Sequence, residues 1–219
     1  MLKKNNDNSK IGRHRMFLLG ILCLSAFCLV AQVNPNRRGP QPAKSKVFLL
    51  HSDVLKKNKK NPEAQILVGD VAFRHDSIYM YCDSACFYEK TNSLEAFDNV
   101  KMVQGDTLFL YGDYLFYDGN TQIAQVRNNV RMENRAITLE TDSLNYDRIT
   151  NLGYFFDGGT LMDEENVLTS DWGEYSPATK WSVFNYDVKL VNPQFTLTSD
   201  TLRYNTMSKV ASIVGPSNI

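Results

Sequence analysis

Histidine and tryptophan are scarce in this chain, and no segment shows the apolar periodicity of a helix. Its 219 residues include three histidines and two tryptophans. His14 lies in a basic N-terminal segment, His51 beside a linker and His75 in a predicted turn. None of the three is paired in the sequence with a serine or cysteine in a way that suggests a nucleophile and its base. We therefore expect no enzyme activity, no metal site and no cofactor.

Cysteine is also sparse, with four residues in the chain. Cys23 and Cys28 lie in an apolar N-terminal run, whereas Cys82 and Cys86 lie in the body of the sequence. On a straight strand the Cα atoms of the latter two are separated by ~13 Å, which exceeds the reach of a disulfide. The spacing therefore predicts two free thiols in the core.

Basic charge is concentrated in the first 60 residues and becomes scarce after them. Residues 61–219 carry 11 Lys or Arg and 22 Asp or Glu, although the net charge of the whole chain is zero. Proteins that bind nucleic acid need clustered cations to contact the phosphates. The acidic body of the chain therefore excludes nucleic acid as a partner.

Residues 1–31 have the pattern of an export segment. A basic stretch precedes a 15-residue apolar run at 16–30. The run suits a secretory signal peptide better than a spanning helix, which needs about 20 apolar residues. Two interpretations stay open, namely a signal peptide that is cleaved and an inner-membrane anchor formed by residues 16–33. Residues 32–65 follow as a Pro/Lys-rich linker, in which "KVFLLHSD" (46–53) predicts a capping strand.

A repeat of 29 residues organises the chain from residue 66 to residue 219. A stretch that contains aspartate and closes on tyrosine recurs, and each closing tyrosine follows the previous one by 29 residues. These tyrosines are Tyr88, Tyr117, Tyr146, Tyr175 and Tyr204. Each unit contains short apolar alternations of period two, separated by Gly, Asn and Asp turns. The pattern predicts an all-β domain of about five repeats.

The spacing of apolar residues predicts a bend inside each aspartate-containing strand. Leu139 and Leu144 are five residues apart, so a flat strand would place them on opposite faces. They can share one interior only if the strand bulges or bends between them, and Asp, Ser and Thr suit such a bend. The expected corner residues are Asp83, Asp113, Asp142, Asp171 and Asp200. Because the first unit has one extra residue before Tyr88, we expect its corner to differ. Two facing antiparallel sheets follow, in an elongated folded-over arrangement.

The residues expected on the inner walls all have aliphatic, aromatic or thioether side chains. They are Val71, Phe73, Ile78, Met80, Met102, Leu108, Leu110, Leu115, Val130, Met132, Ile137, Leu139, Leu144, Leu168, Val188, Leu190, Phe195, Leu197 and Leu202. Such a surface would accept an acyl chain without specifying its shape. In the fourth unit Gly173 and Asn166 replace the expected apolar residues, so the interior there is either open or refilled by Trp172 or Trp181.

Three stretches carry a resemblance to a known family. They are "LFLYGDYLFYDGNTQIAQVRNNVRM" (108–132), "ITLETDSLNYDRITNLGYF" (137–155) and "FTLTSDTLRYNTMSKVASIVG" (195–215). With their in-phase copies from about residue 66 to residue 215, they resemble the OstA-like family, which includes the lipopolysaccharide-transport protein LptA and its relatives LptC and the N-terminal domain of LptD. The resemblance implies a folded-over β-jelly roll in the periplasm of a Gram-negative-type bacterium.

The same resemblance implies a function in outer-membrane biogenesis. It implies a hydrophobic groove that shields the acyl chains of lipid A. It also implies that open sheet edges pair head to tail with a second copy or with other Lpt-type jelly rolls. Because the body is acidic, we expect it to bind lipopolysaccharide through the acyl chains, and we expect only the basic linker to meet the head group or membrane surface. The alternative is a structural envelope β-solenoid that has a solid core and no lipid ligand.

Overall fold

The structure is a computed structural model and describes residues 45–218. All regular elements in this range are β-strands, and they form one antiparallel sheet. The strands are β1 (Phe48–His51), β2 (Val54–Lys57), β3 (Gln65–His75), β4 (Ile78–Tyr88), β5 (Ser93–Gln104), β6 (Leu108–Asp118), β7 (Ile123–Asn134), β8 (Ile137–Asp147), β9 (Leu152–Phe155), β10 (Gly159–Met162), β11 (Val167–Ser170), β12 (Trp172–Tyr175), β13 (Trp181–Asn192), β14 (Phe195–Asn205) and β15 (Val210–Asn218). The predicted all-β fold is confirmed.

The predicted export segment, residues 1–31, lies outside the described residues. Two short strands, β1 and β2, lie within the predicted linker. Both pair with β3, β1 with its second half and β2 with its first half. Across residues 45–218, no helix is long and apolar enough to span a membrane.

Each long strand changes direction at its middle, so that the single sheet folds into two facing leaves. The half-strands that carry the repeated tyrosines form the tyrosine leaf. The other half-strands form the opposite leaf. The tyrosine leaf comprises residues 65–68, 84–88, 93–97, 114–118, 123–127, 143–147, 152–155, 172–175, 181–185, 201–205 and 210–214, and the opposite leaf comprises 71–75, 78–82, 100–104, 108–112, 130–134, 137–141, 159–162, 167–170, 188–192 and 195–199. Inner side chains of the two leaves touch, as the rings of Phe73 and Phe87 do at 5.4 Å between centroids.

The corner between the leaves is a bulge in which two residues oppose one. In β7, Asn128 and Asn129 have φ of 62° and 51° and lie opposite Asp142 of β8. Equivalent pairs of positive-φ residues are Gly69–Asp70, Asp98–Asn99 and Tyr186–Asp187. Asn, Asp and Gly tolerate this left-handed conformation better than other residues. The backbone therefore turns on the strand before each aspartate.

The aspartates expected at the corners lie opposite these bulges and contact them. Asp83 accepts a hydrogen bond from the Asn99 side chain at 2.7 Å, and Asp113 accepts one from the Asn129 side chain at 2.6 Å. Asp142 accepts from the backbone N–H of Asn129 at 3.3 Å. The backbone N–H of Asp171 donates to Tyr186, and the side chain of Asp200 lies near Gly215.

The expectation of a different corner in the first unit is wrong. Asp83 contacts Asn99 just as Asp113 contacts Asn129, so the bulge is the same. The extra residue instead shifts the end of β4. Phe87 is buried in the interior, whereas Tyr88 is half-buried and donates to Glu95 at 2.7 Å. The inner tyrosine of the repeat is thus replaced by phenylalanine in this unit.

Candidate functional site

The space between the leaves holds nearly all of the residues expected on the inner walls. Eighteen of the nineteen are at most 6% exposed. In β8 they include Ile137 and Leu139 on one side of the corner and Leu144 on the other. Phe195 is the exception and a correction, since it is 41% exposed. It lies on the inner face at the start of β14, where β15 pairs only from Thr198 onward, so no strand of the described part of the chain covers it.

Four inner tyrosines span the gap between the leaves along the edge opposite the corners. This edge is the seam, defined by Tyr117, Tyr146, Tyr175 and Tyr204, which are all at most 1% exposed. Their hydroxyl groups reach polar groups 38 to 42 residues earlier in the chain. Those partners lie at the turns that end the opposite leaf.

The partners along the seam are His75, Gln104, Asn134 and Asn166. Tyr117 Oη lies 2.6 Å from His75 Nδ1, and Tyr175 donates to Asn134 at 3.1 Å. Tyr204 accepts from Asn166 at 2.9 Å and donates to Asp163. Tyr146 donates to Asn151 Oδ1 at 3.1 Å and lies 3.5 Å from Gln104 Oε1, and the Gln104 amide nitrogen donates to Asn151 Oδ1 at 2.8 Å. Hydrogen bonds therefore join the two leaves at the seam, whereas the continuous backbone of the strands joins them at the corners.

The seam tyrosines are protonated donors at neutral pH. Burial raises the pKa of Tyr146 to about 12, and it also raises the pKa values of Tyr117 and Tyr175. For Tyr204, burial and a hydrogen bond to the Asp163 carboxylate both raise the pKa. Charge on these hydroxyl groups therefore plays no part in holding the seam at physiological pH.

Cys82 and Cys86 are both free, as the strand spacing predicts. Cys82 is buried, and burial raises the pKa of its thiol to about 12. Cys86 is only half-buried and lies on the outer face of the tyrosine leaf, so the expectation of a core position is wrong for this residue. Residue parity explains the difference, because Ala85 and Phe87 are the inner residues of that half-strand.

The gap left by Gly173 is filled by phenylalanine, so neither of the two alternatives for the fourth unit is correct. A Cβ atom at Gly173 would lie 2.5 Å from Phe155 Cζ and 3.1 Å from Phe184 Cδ1. Trp181 is 44% exposed, and Trp172 is half-buried on the outer face. Asn166 is buried because it serves the seam through Tyr204.

Replacing Gly173 with leucine, the residue found at the equivalent position of other units, is expected to destabilise the protein. The new side chain would overlap Phe155, and overpacking of this kind costs about 1–3 kcal/mol. The double variant Gly173→Leu with Phe155→Ala should recover part of that loss, since the leucine then occupies the vacated space. Urea unfolding of the two single variants and the double variant gives the coupling energy. Additive effects would show that Phe155 does not fill this gap.

Within residues 45–218, nothing covers the apolar interior at either end of the stack. At the N-terminal end Leu55 faces inward opposite Leu67 and is 55% exposed. At the C-terminal end Ile213 faces inward opposite Leu202 and is 37% exposed, beside the exposed Phe195. Both ends also present strands with an unpaired edge, namely β1 and β2 at one end and β15 at the other.

Four cavities in the described part of the chain lie at corners and turns and are bordered mostly by polar residues. Their volumes are 510, 480, 450 and 170 Å³. The cavity of 510 Å³ lies outside the corner formed by Asn129, Asp142 and Gly158. The inner side chains meanwhile bury one another, so a ligand chain between the leaves requires the leaves to move apart.

The seam partners are the residues that the sequence pattern did not reveal. The sequence places His75 in a predicted turn and assigns it no function, yet its side chain is fully buried. Arg148, which follows β8, donates to Tyr117 at 3.1 Å. The 29-residue spacing of the tyrosines marks one side of the seam, but the other side comprises three different residue types and carries no common motif.

Comparison with known proteins gives one family and one described structural neighbour. The model of the OstA-like protein family matches residues 44–200. Seventeen chains of solved structures match, among them LptH of Pseudomonas aeruginosa, described as the LptA-homologous periplasmic component of a lipopolysaccharide transport device. It shares 13% identity over 64% of this chain and 82% of its own, with a TM-score of 0.29. No curated protein sequence matches.

Proposed function

The chain belongs to the OstA-like protein family, and from that premise we propose that it carries a lipopolysaccharide-type amphiphile through the periplasm. The acyl chains lie between the tyrosine leaf and the opposite leaf. The corner bulges keep the two leaves joined while the seam parts. The protein acts by binding and shielding, and its own side chains make or break no covalent bond.

The observation that carries this proposal is the contiguous apolar interior that the inner-wall side chains form from Val71 in β3 to Leu202 in β14. It ends at two mouths, where Leu55 and Ile213 face inward and remain exposed. Each CH₂ group of an acyl chain that leaves water gains roughly 0.8 kcal/mol. A chain of a dozen or so carbons therefore gains enough to offset the separation of inner side chains that otherwise bury one another.

The alternative function is that of a structural envelope protein with a permanently closed core. The filled interior and the hydrogen-bonded seam favour it. The uncovered mouths oppose it, because a solenoid that needs only stability gains nothing from exposed inward-facing leucine and isoleucine.

Photo-crosslinking from inside the fold distinguishes the two functions. A photoreactive amino acid is placed in living cells at Leu110, Leu139 or Leu197, each at most 4% exposed. Transport predicts adducts with lipopolysaccharide from all three positions. The matched controls are the neighbouring outward-facing positions Tyr111 and Thr198, which should give no lipid adduct.

The absence of lipid adducts from all three inner positions, in a protein that folds and is exported, would contradict transport and favour the structural function. Equal adducts from inner and outer positions would indicate adsorption to a membrane surface and would contradict shielding between the leaves.

We further propose that the two ends of the stack pair head to tail, either between copies or with related jelly rolls. The edge of β15 is exposed along its whole length, and β1 and β2 leave the opposite end open. Unpaired backbone N–H and C=O groups at such edges readily add another strand. Joining the ends would also join the apolar interiors, because Leu55 of one copy would meet Ile213 of the next.

Mixing two single-cysteine variants tests this arrangement. Leu55→Cys mixed with Ile213→Cys should give disulfide-linked dimers under mild oxidation, since the two ends differ. Leu55→Cys alone and Ile213→Cys alone are the controls and should give few dimers. The assay is non-reducing electrophoresis, with Cys23, Cys28, Cys82 and Cys86 replaced. Dimers of Ile213→Cys alone as abundant as those of the mixture would contradict head-to-tail pairing.

A further inference from the structure

A buried cationic cluster lies at the edge of the apolar interior, in the N-terminal part of the seam. Its centre is Arg148, which directly follows β8 and has a side chain only 7% exposed. Beside it lie His75 at the end of β3, fully buried, and Tyr117 of β6. Three parts of the chain that are distant in sequence thus bring a guanidinium, an imidazole and a phenol together, in a protein whose body carries an excess of acidic residues.

The hydrogen bonds within the cluster fix where its protons lie. Arg148 Nη1 donates to Tyr117 Oη at 3.1 Å and to Gln122 Oε1 at 3.0 Å. Arg148 Nη1 also lies 3.4 Å from His75 Nδ1, and because a guanidinium can only donate, Nδ1 acts as an acceptor, to which the Tyr117 hydroxyl donates at 2.6 Å. A neutral His75 must then carry its proton on Nε2. Burial lowers the pKa of His75, which favours this neutral form.

Two donors of the cluster are left without a hydrogen-bond partner among residues 45–218. They are Arg148 Nε and His75 Nε2, and both atoms are buried. Leaving a buried donor unpaired is costly, and the cost is greater when the group is charged. The arrangement therefore lacks an acceptor that could reach the guanidinium and the imidazole together.

The Asp76 carboxylate lies beside the cluster but remains too far from His75 Nε2 for a hydrogen bond. Asp76 Oδ2 lies 3.8 Å from His75 Nε2 and 4.0 Å from Arg148 Nη1, and the Asp76 side chain is 45% exposed. Its other oxygen accepts from the Ser45 hydroxyl, which holds it outward. The other nearby carboxylates, Asp118 and Asp147, cap turns by accepting from Asn120 and Ile149. Asp76 marks the position that an anion would occupy.

We propose that Arg148, His75 and Tyr117 form a binding site for the phosphate group of the amphiphile whose acyl chains lie between the leaves. This inference rests on the proposed function. A phosphate has enough oxygens to accept from Arg148 Nε and His75 Nε2 at once, and arginine is well suited to such forked contacts. This proposal differs from the expectation that only the basic linker would meet the head group, since the sequence pattern hides one buried arginine among 22 acidic residues.

The position of the cluster agrees with this ligand. It lies where the two leaves meet, so an amphiphile that enters through the seam would place its chains inward and its polar head at the edge. Arg148 is close to both sides of the seam, because Tyr117 belongs to the tyrosine leaf and His75 to the opposite leaf.

Equilibrium binding of two lipids to the full-length protein tests the site. The probes are diphosphoryl lipid A and the same lipid after enzymatic removal of both phosphates. Wild type should bind the phosphorylated form at least about tenfold more tightly, which is the scale of one charge-assisted hydrogen-bond pair. In Arg148→Gln the two forms should bind alike. Asp76→Asn should increase the preference, because it removes the competing carboxylate.

Matched variants separate this role from general effects on charge and folding. Arg131→Gln removes an exposed arginine on the outer face of β7 and should leave the tenfold preference unchanged. Arg148→Lys keeps the charge and should retain a reduced preference, so it remains informative if Arg148→Gln fails to fold. Inorganic phosphate, titrated against wild type, should compete only with the phosphorylated lipid.

The outcomes distinguish the two proposals. If wild type binds both lipids with equal affinity, the phosphate site is wrong and acyl-chain transport stands. If inorganic phosphate binds in an Arg148-dependent way while the lipid preference is absent, the ligand is free phosphate and this inference is overturned. If neither lipid binds, the proposed function fails, and the inference fails with it.

Discussion

Replacing Leu139 with aspartate is expected to abolish the folded state. Leu139 is 1% exposed and lies between Met132 of β7 and Leu161 of β10. Losing a buried leucine costs about 2–5 kcal/mol, and an unpaired carboxylate in the same place adds several more. Since domains of this size are stable by only about 5–15 kcal/mol, the sum approaches the whole free energy of unfolding.

Thermal and urea unfolding, followed by far-ultraviolet circular dichroism, measure this effect. The matched control is Thr138→Asp, one residue earlier on β8, where the side chain is half-buried on the outer face. It should lose at most about 1 kcal/mol. If Leu139→Asp unfolds at the same urea concentration as Thr138→Asp, then Leu139 does not belong to the inner wall.

Locking the seam with a covalent bridge is expected to prevent lipid uptake while leaving the fold intact. Gln104 ends β5 on the opposite leaf, and Asn151 lies at the β8–β9 turn beside the tyrosine leaf. Their side chains meet at 2.8 Å. Cysteines at these two positions, with the four native cysteines replaced, can be joined by a short bis-maleimide. Binding of diphosphoryl lipid A should then fall by at least about tenfold, because the leaves can no longer part.

A mono-functional maleimide provides the control for the seam lock. It modifies the same two cysteines without bridging them, so it reproduces any loss of the Gln104 and Asn151 hydrogen bonds. This sample should bind lipid as well as the unmodified double variant or better. Undiminished binding to the bridged protein would show that acyl chains reach the protein by another route, such as the mouths at Leu55 and Ile213.

The alternation of apolar residues was sufficient to predict the fold because it depends on local geometry. The step of five from Leu139 to Leu144 requires a corner, and both residues are buried on either side of one. The alternation does not predict which strand carries the positive φ values. They belong to Asn128 and Asn129 of β7, the strand that precedes the aspartate strand β8. In a bulge either strand can contribute the extra residue, and apolar parity of one strand does not distinguish the two cases.

The candidate site was predictable only in part, because its polar members depend on how the two leaves are staggered. Tyr117 contacts His75, 42 residues earlier, and such a partner follows from the offset between leaves and not from the repeat itself. The filling of the space at Gly173 has the same origin. Phe155 belongs to the neighbouring strand β9, and the sequence shows no sign that its ring lies over the glycine. Lipid binding by the inner walls stays a prediction.

The most direct test of the central claim is the distance between the leaves with and without lipid. Spin labels at Thr196 and Arg203 occupy exposed outer positions of β14, one on each leaf, and electron–electron double resonance reports their separation. Labels at Glu140 and Thr196, both on the opposite leaf, give the reference. Saturating lipopolysaccharide should lengthen the first distance and leave the second unchanged. An unchanged first distance in a protein that has bound lipopolysaccharide would contradict the account, because the acyl chains would then lie outside the two leaves.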